Sequence, residues 1–208
     1  MPATGRSVKS TRKIRGRGKQ TGATTDAHER AKNFLTEVET QRLLDAGKRG
    51  RHGLRDHVLL LMLYRHGLRV SELVEMRRDQ VNMKRSRVWV ARLKNSLSTE
   101  QPVLGDALRA LKRYLATRDD DLPWLFINER GTQLTRQAIN YLIAAAGERA
   151  GLGHVHPHML RHSCGFKLAN QVGADVRTLQ DYLGHRDPRH TARYTRIAGT
   201  RFDGLWKK

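Results

Sequence analysis

In the stretch HPHMLRHSCGF, residues 156 to 166, four basic side chains fall within seven residues: His156, His158, Arg161 and His162. Pro157 suits the first turn of a helix, where its missing N–H costs nothing. From that start His158, Arg161 and His162 stand at i, i+3 and i+4 and share one face, while Leu160, Cys164 and Leu168 lie on another and can anchor the helix to a core. Two imidazoles and a guanidinium on one face make a receptor for a tetrahedral oxyanion, because arginine presents a rigid fork of donors that matches phosphate. A metal site is the competing reading of His154, His156, His158 and His162, and an inert basic helix is a third. Against the metal, no acid or pair of thiolates joins the four, and Arg161 would repel a cation at their centre.

A phosphate receptor becomes an enzyme when a nucleophile is near. Tyr64, Tyr114, Tyr141 and Tyr182 all have hydrophobic neighbours at helical spacing, which reads as core. Tyr194 differs: it lies in RHTARYTR, among Arg189, His190, Arg193 and Arg196. A phenol ionises near pH 10, and a cationic pocket that favours phenolate is one way to activate it. Tyr194 is therefore the tyrosine expected to attack a phosphate.

The elements that must position these groups come from 208 residues, enough for one good-sized domain. Lys and Arg number 40 against 20 acids, a formal charge of +20. Such an excess repels itself and is most easily understood if a polyanion screens it. Nucleic acid is the first candidate, and a membrane surface or ribosomal RNA the second. Cys164 is the one cysteine, so an internal disulfide is excluded and a reducing compartment is expected. No apolar run approaches the ~20 residues that span a bilayer, and the basic N-terminus has no apolar segment behind it. A soluble, cytoplasmic protein with no membrane partner is expected. Residues 1–32 contain no acid before Asp26 and read as a disordered basic arm, with a merely solubilising tail as the alternative.

Order is expected from Leu35. Thr36 and Glu39 form a capping-box pattern opening a helix through EVETQRLLDA. LRDHVLLLMLYRHG is apolar nearly all round, a buried helix with Gly67 as its stop. GLRVSELVEMRRDQV predicts a turn and another helix. SRVWVARLK alternates as a strand, and STEQPVL is its hairpin partner. Helical patterns return at DALRALKRYLATR, TRQAINYLIAAAGERAG, HMLRHSCGFKLANQ, VRTLQDYLGH and PRHTARYTR. The fold class is mainly α with a small antiparallel β-sheet.

Four boxes, HGLRVSEL (66–73), HMLRH (158–162), LGHR (183–186) and ARYT (192–195), together resemble the catalytic domain of the tyrosine recombinase, or phage integrase, family. The resemblance covers about residues 33–208 and implies the fold of DNA breaking-rejoining enzymes. HPHMLRHSCGF, QDYLGHR and the ending RFDGLW are most similar to the short fimbrial phase-variation recombinases of the FimB and FimE type. Members of that group invert a promoter segment and lack the separate DNA-binding domain found upstream in most of the family.

By that resemblance, Arg69 and Arg161 grip the non-bridging oxygens of the scissile phosphate. His158 hydrogen-bonds the phosphate and can accept the tyrosine's proton, and His185 is a second phosphate donor. Lys94, in the turn after VWVAR, protonates the departing 5′-oxygen; Lys84 is its one rival in that region. Tyr194 forms a covalent 3′-phosphotyrosyl link. Glu72 is expected to orient Arg69, and His162 to buttress its helix. This chemistry calls for no metal and no other cofactor, since arginines, lysine and histidines offset the phosphate charge and the phosphotyrosyl bond conserves the energy of the broken diester.

The implied partner is double-stranded DNA bearing inverted-repeat recombination sites, bound by a homotetramer in the bacterial cytoplasm at the nucleoid. Phe202, Leu205 and Trp206 stand at i, i+3 and i+4 near the end of the chain and read either as an anchor that docks into a neighbouring subunit or as intramolecular packing. A type IB-like topoisomerase, a non-catalytic DNA-binding regulator and a metal-dependent nuclease are the rival functions.

Overall fold

The computed structural model of the protein describes residues 33–93 and 96–195. The basic arm, Lys94 and the Phe202, Leu205 and Trp206 segment lie outside the described residues. Helix α1 (Glu37–Lys48) opens on the predicted capping box: Glu39 N–H donates to Thr36 Oγ1, and Thr36 N–H donates to the Glu39 carboxylate at 2.8 Å. Helix α2 (Gly53–Arg65) buries every residue from Val58 to Tyr64, each apolar side chain contributing roughly 1.5–3 kcal/mol. It is the central post of the fold, with α1, α4 (Gly105–Leu115) and α6 (Pro157–Asn170) packed on it. The chain leaves α2 through Gly67 at φ +54°, where a Cβ would come within 2.5 Å of Leu183 Cδ2. Only glycine fits that turn.

The next stretch departs from the predicted helix. It divides into a five-residue helix α3 (Val70–Val74), a 3-10 turn (Arg78–Gln80) and a short strand β1 (Val81–Asn82). Tertiary pairing overrides the helical pattern here. Leu125 N–H donates to Met76 O and Arg78 N–H to Pro123 O, both at 2.8 Å, so the backbone is engaged across the fold rather than along a helix. Strand β1 adds to the predicted hairpin of β2 (Arg87–Val90) and β3 (Thr99–Pro102), giving an antiparallel sheet in the order β1-β2-β3 with Val88 opposite Gln101. Val88 and Val90 face the core while Arg87 and Trp89 face out. Arg92 continues the inward phase.

Helices α5 (Arg136–Arg149), α7 (Val176–Leu183) and α8 (Arg189–Thr195) complete the described chain. Helix α6 starts with Pro157 in its first turn, as predicted, and packs α2 on one side and α7 and α8 on the other. The architecture is mainly helical with one small antiparallel sheet. No described helix is long and apolar enough to cross a membrane.

Candidate active site

Arginines from three distant segments meet at the Gly67 turn. Arg161, buried in the middle of α6, donates to Gly67 O through Nη1 and to Leu183 O through Nη2, the latter at 2.7 Å. Arg92 donates to the same Gly67 carbonyl at 3.3 Å, to His66 O at 3.0 Å and to Tyr182 O. Its Nη1 also meets Glu72 Oε2 at 2.7 Å, and neither side chain of that pair reaches solvent. Arg69, at the mouth of α3, donates its backbone N–H to Glu72 Oε2 at 2.9 Å and its guanidinium to Oε1 at 2.6 Å. Glu72 thus bridges Arg69 and Arg92, the single carboxylate on these three guanidiniums among the described residues. Burial alone would raise the Glu72 carboxyl, yet Arg92 and Arg69 hold it below the usual carboxylate range. Burial, then Arg92 and Arg69, pushes Arg161 down to about 10, so it stays charged at neutral pH and has no carboxylate partner among the described residues.

The imidazoles surround this centre. His158 is exposed at the start of α6, and burial, Arg161 and Arg69 lower its pKa. His185 follows α7, whose end turns at Gly184, and its Nδ1 meets Thr191 Oγ1 of α8 at 2.9 Å. Burial, Arg161 and Arg69 push His185 down to about 3. His154, His156, His158 and His162 run in file with successive ring centres 6.2, 6.4 and 6.4 Å apart. Among the described residues no group of three or more His, Cys, Asp or Glu side chains is arranged to hold a metal ion. A 760 Å³ cleft opens beside Arg69 and His158, walled also by Arg136 and Asn140 of α5.

Tyr194 completes the group. Its ring stacks on His185 with centres 6.2 Å apart and planes 11° from parallel. The other face lies against α6, where a Cβ at Gly165 would stand 2.7 Å from Tyr194 Cζ. The hydroxyl lies 2.8 Å from His162 Nδ1. Two expectations need correction. Tyr194 is 3 % exposed, no less buried than Tyr114 at 4 %, and Tyr141 is 77 % exposed rather than core. What separates Tyr194 from the buried tyrosines is that its oxygen meets an imidazole beside two arginines. The expected bias towards phenolate is also absent: burial raises the Tyr194 pKa despite Arg161 and Arg193.

The structure therefore brings Arg69, His158, Arg161, His185 and Tyr194 together; Lys94 lies outside the described residues. Sequence reasoning missed Arg92 altogether and gave His162 a buttressing role. Arg92 had a signal in the sequence, since Val88, Val90 and Arg92 share one phase of the strand alternation and a buried arginine needs an acid. His162 had none beyond its place next to Arg161.

Known proteins share this arrangement of helices. The crystal structure of XerA recombinase superposes with a TM-score of 0.71 at 27% identity, over 80% of this chain and 61% of that one. In sequence, the Type 1 fimbriae regulatory protein FimB of Escherichia coli (strain K12) is 41% identical over 187 residues, covering 88% of this chain and 93% of the relative. FimE of the same strain is 42% identical over 183 residues, covering 85% and 92%. The phage integrase family pattern matches residues 33–201. The chain belongs to the phage integrase family, the tyrosine recombinases.

Proposed function

We propose that this recombinase acts on double-stranded DNA and inverts a segment bounded by inverted-repeat sites, through a 3′-phosphotyrosyl intermediate on Tyr194. The observation that carries the reading is the gathering of Arg69, Arg161, His158 and His185 around one phenol, with Glu72 as the only carboxylate on those arginines among the described residues. Such a site has a net positive charge and directs donors at an incoming anion. Arg69 and Arg161 bind the non-bridging oxygens and stabilise the charge that grows on them in the transition state. His158 and His185 donate further hydrogen bonds to the phosphate. Tyr194 attacks phosphorus, and Lys94 protonates the 5′-oxygen as it leaves. A 5′-hydroxyl from a second duplex then attacks the phosphotyrosyl bond and completes the exchange.

Exchange between two sites needs four active sites, hence a homotetramer on paired DNA, working in the cytoplasm at the nucleoid. Inversion is favoured because the relatives covered almost end to end are named as fimbriae regulatory proteins. Two experiments test this reading. On a nicked duplex carrying the recombination site, wild-type protein should become covalently linked to DNA and Tyr194→Phe should not, while still binding. On a plasmid with two inverted sites, wild type should flip the intervening segment. Relaxation of supercoils without exchange would indicate a topoisomerase instead, and binding without any adduct a regulator.

A further inference from the structure

His162 is left unused by the mechanism above, yet it is the residue that holds the nucleophile. Its Nδ1 stands 2.8 Å from Tyr194 Oη with the two rings 5.9 Å apart. The phenol is protonated, since burial raises its pKa, and its O–H must be given to an acceptor. Among the described residues that acceptor is His162 Nδ1, which places the imidazole's own proton on Nε2. Gly165 stands three residues further along α6, on the same face. There the absence of a Cβ lets the Tyr194 ring settle onto the helix. One face of α6 thus supplies both the floor under the ring and the partner for its oxygen.

We propose that His162 is a further catalytic residue of this recombinase, holding Tyr194 Oη and taking its proton as the bond to phosphorus forms. This rests on the phosphotyrosyl reading given above. In the step, the Oη–H bond breaks and its proton passes to Nδ1. The oxygen's electron pair forms the Oη–P bond, the P–O5′ bond breaks, and the 5′-oxygen takes a proton from the acid on its own side. In the reverse step the imidazolium returns the proton to the departing phenolate. Distance favours His162 over His158 for this role, because a base must lie within hydrogen-bond reach of the proton it removes.

The surroundings hold the base ready. Burial, Arg193 of α8, His158 and Arg161 of α6, and His156 before it push His162 down to about 4, so its Nδ1 lone pair is free at neutral pH. A phosphate anion entering the site opposes those cations and strengthens the base when it is needed.

The test compares wild type, His162→Gln and His162→Phe for the rate of covalent adduct formation on the nicked duplex, at pH 7 and pH 9.5, with DNA affinity measured alongside. Glutamine accepts the phenol's hydrogen bond but cannot take its proton. Both variants should bind DNA as wild type does and form adduct about 10²-fold more slowly, or worse, at pH 7. Both should recover towards the wild-type rate at pH 9.5, where hydroxide does the base's work. Wild-type rates in His162→Gln would overturn the proposal, as would an equal deficit at both pH values. If His162→Gln melts below the assay temperature, His162→Ala with added imidazole replaces it: restored adduct supports the role, and no restoration overturns it. The two readings fail separately. An adduct lost in wild type or kept in Tyr194→Phe sinks the phosphotyrosyl reading, whereas a normal Tyr194 dependence with indifferent His162 variants sinks this inference alone.

Discussion

Arg161 has two duties, and its substitutions separate them. Two of its N–H groups bind the Gly67 and Leu183 carbonyls, which fixes the guanidinium's plane. Arg161→Lys keeps the charge but replaces a planar fork with a single point donor. It should bind DNA within a few-fold of wild type while forming adduct on the order of 10²-fold more slowly, the scale of one lost oxyanion donor. Retained cleavage would mean that charge alone suffices. The histidines give a second expectation at this scale. His66, His162 and His185 are held near 4, 4 and 3, each with burial as the first cause. Below about pH 6.5 the unfolded chain binds protons that the folded one refuses. Stability should therefore fall as pH drops from 6.5 towards those values, by up to roughly 1.4 kcal/mol per pH unit for the buried His66 and by less for His162 and His185, which solvent partly screens. Melting curves at pH 7.5, 6 and 5 check the sign; a Tm that rises on acidification would contradict it. Spacing alone gave away the residues that lie in short boxes, since two residues separate His158 from Arg161 and eight separate His185 from Tyr194. Arg92 and His162 could not be read that way, because their meaning depends on carbonyls and a phenol delivered from segments 26 to 90 residues distant.

Elements leave the site little spare room. Helix α8 reaches α6 through a ring laid on Gly165, so Gly165→Ala forces a Cβ into three ring carbons at 2.7–2.9 Å. Overpacking of this kind costs about 1–3 kcal/mol, while α8 keeps its contacts to α7 and the His185–Thr191 bond. The variant should stay folded and bind DNA but lose adduct formation as Tyr194 is displaced; undiminished adduct would show that the ring does not need that floor. Arg92 joins the α2–α3 turn, the end of β2 and the end of α7 through one guanidinium. Arg92→Met leaves Glu72 buried with Arg69 but without its buried ion partner, and takes one donor from each of the Gly67, His66 and Tyr182 carbonyls, a loss of about 3 kcal/mol to be read from urea unfolding. Helices with strong local patterns, α2 above all, were legible because their burial is continuous. The shortness of α3 was not, since Met76 and Arg78 pair with residues 123–125, a contact that no local pattern announces, and the two residues of β1 are defined only by their pairing with β2.

At the scale of the whole molecule, the charge of +20 is spread beyond the site. Arg69 and Arg161 account for a small part of it, so on the proposed function the other cations would serve by counterion release along the DNA rather than at the scissile phosphate. Residues 1–30 carry eight lysines and arginines against Asp26 and Glu29. If these cations lie on phosphates, each contact contributes about 0.9 to the slope of log affinity against log salt. Removing residues 1–30 should then weaken binding at low salt and flatten that slope by several units, with little change in the rate at which DNA already bound becomes covalently attached. Titrations of wild type and the truncated protein across 50–300 mM salt, with adduct rates at saturating protein, separate the two effects. An unchanged slope would make the arm a solubilising tail, and would move the burden of holding DNA onto the cations of the remaining chain.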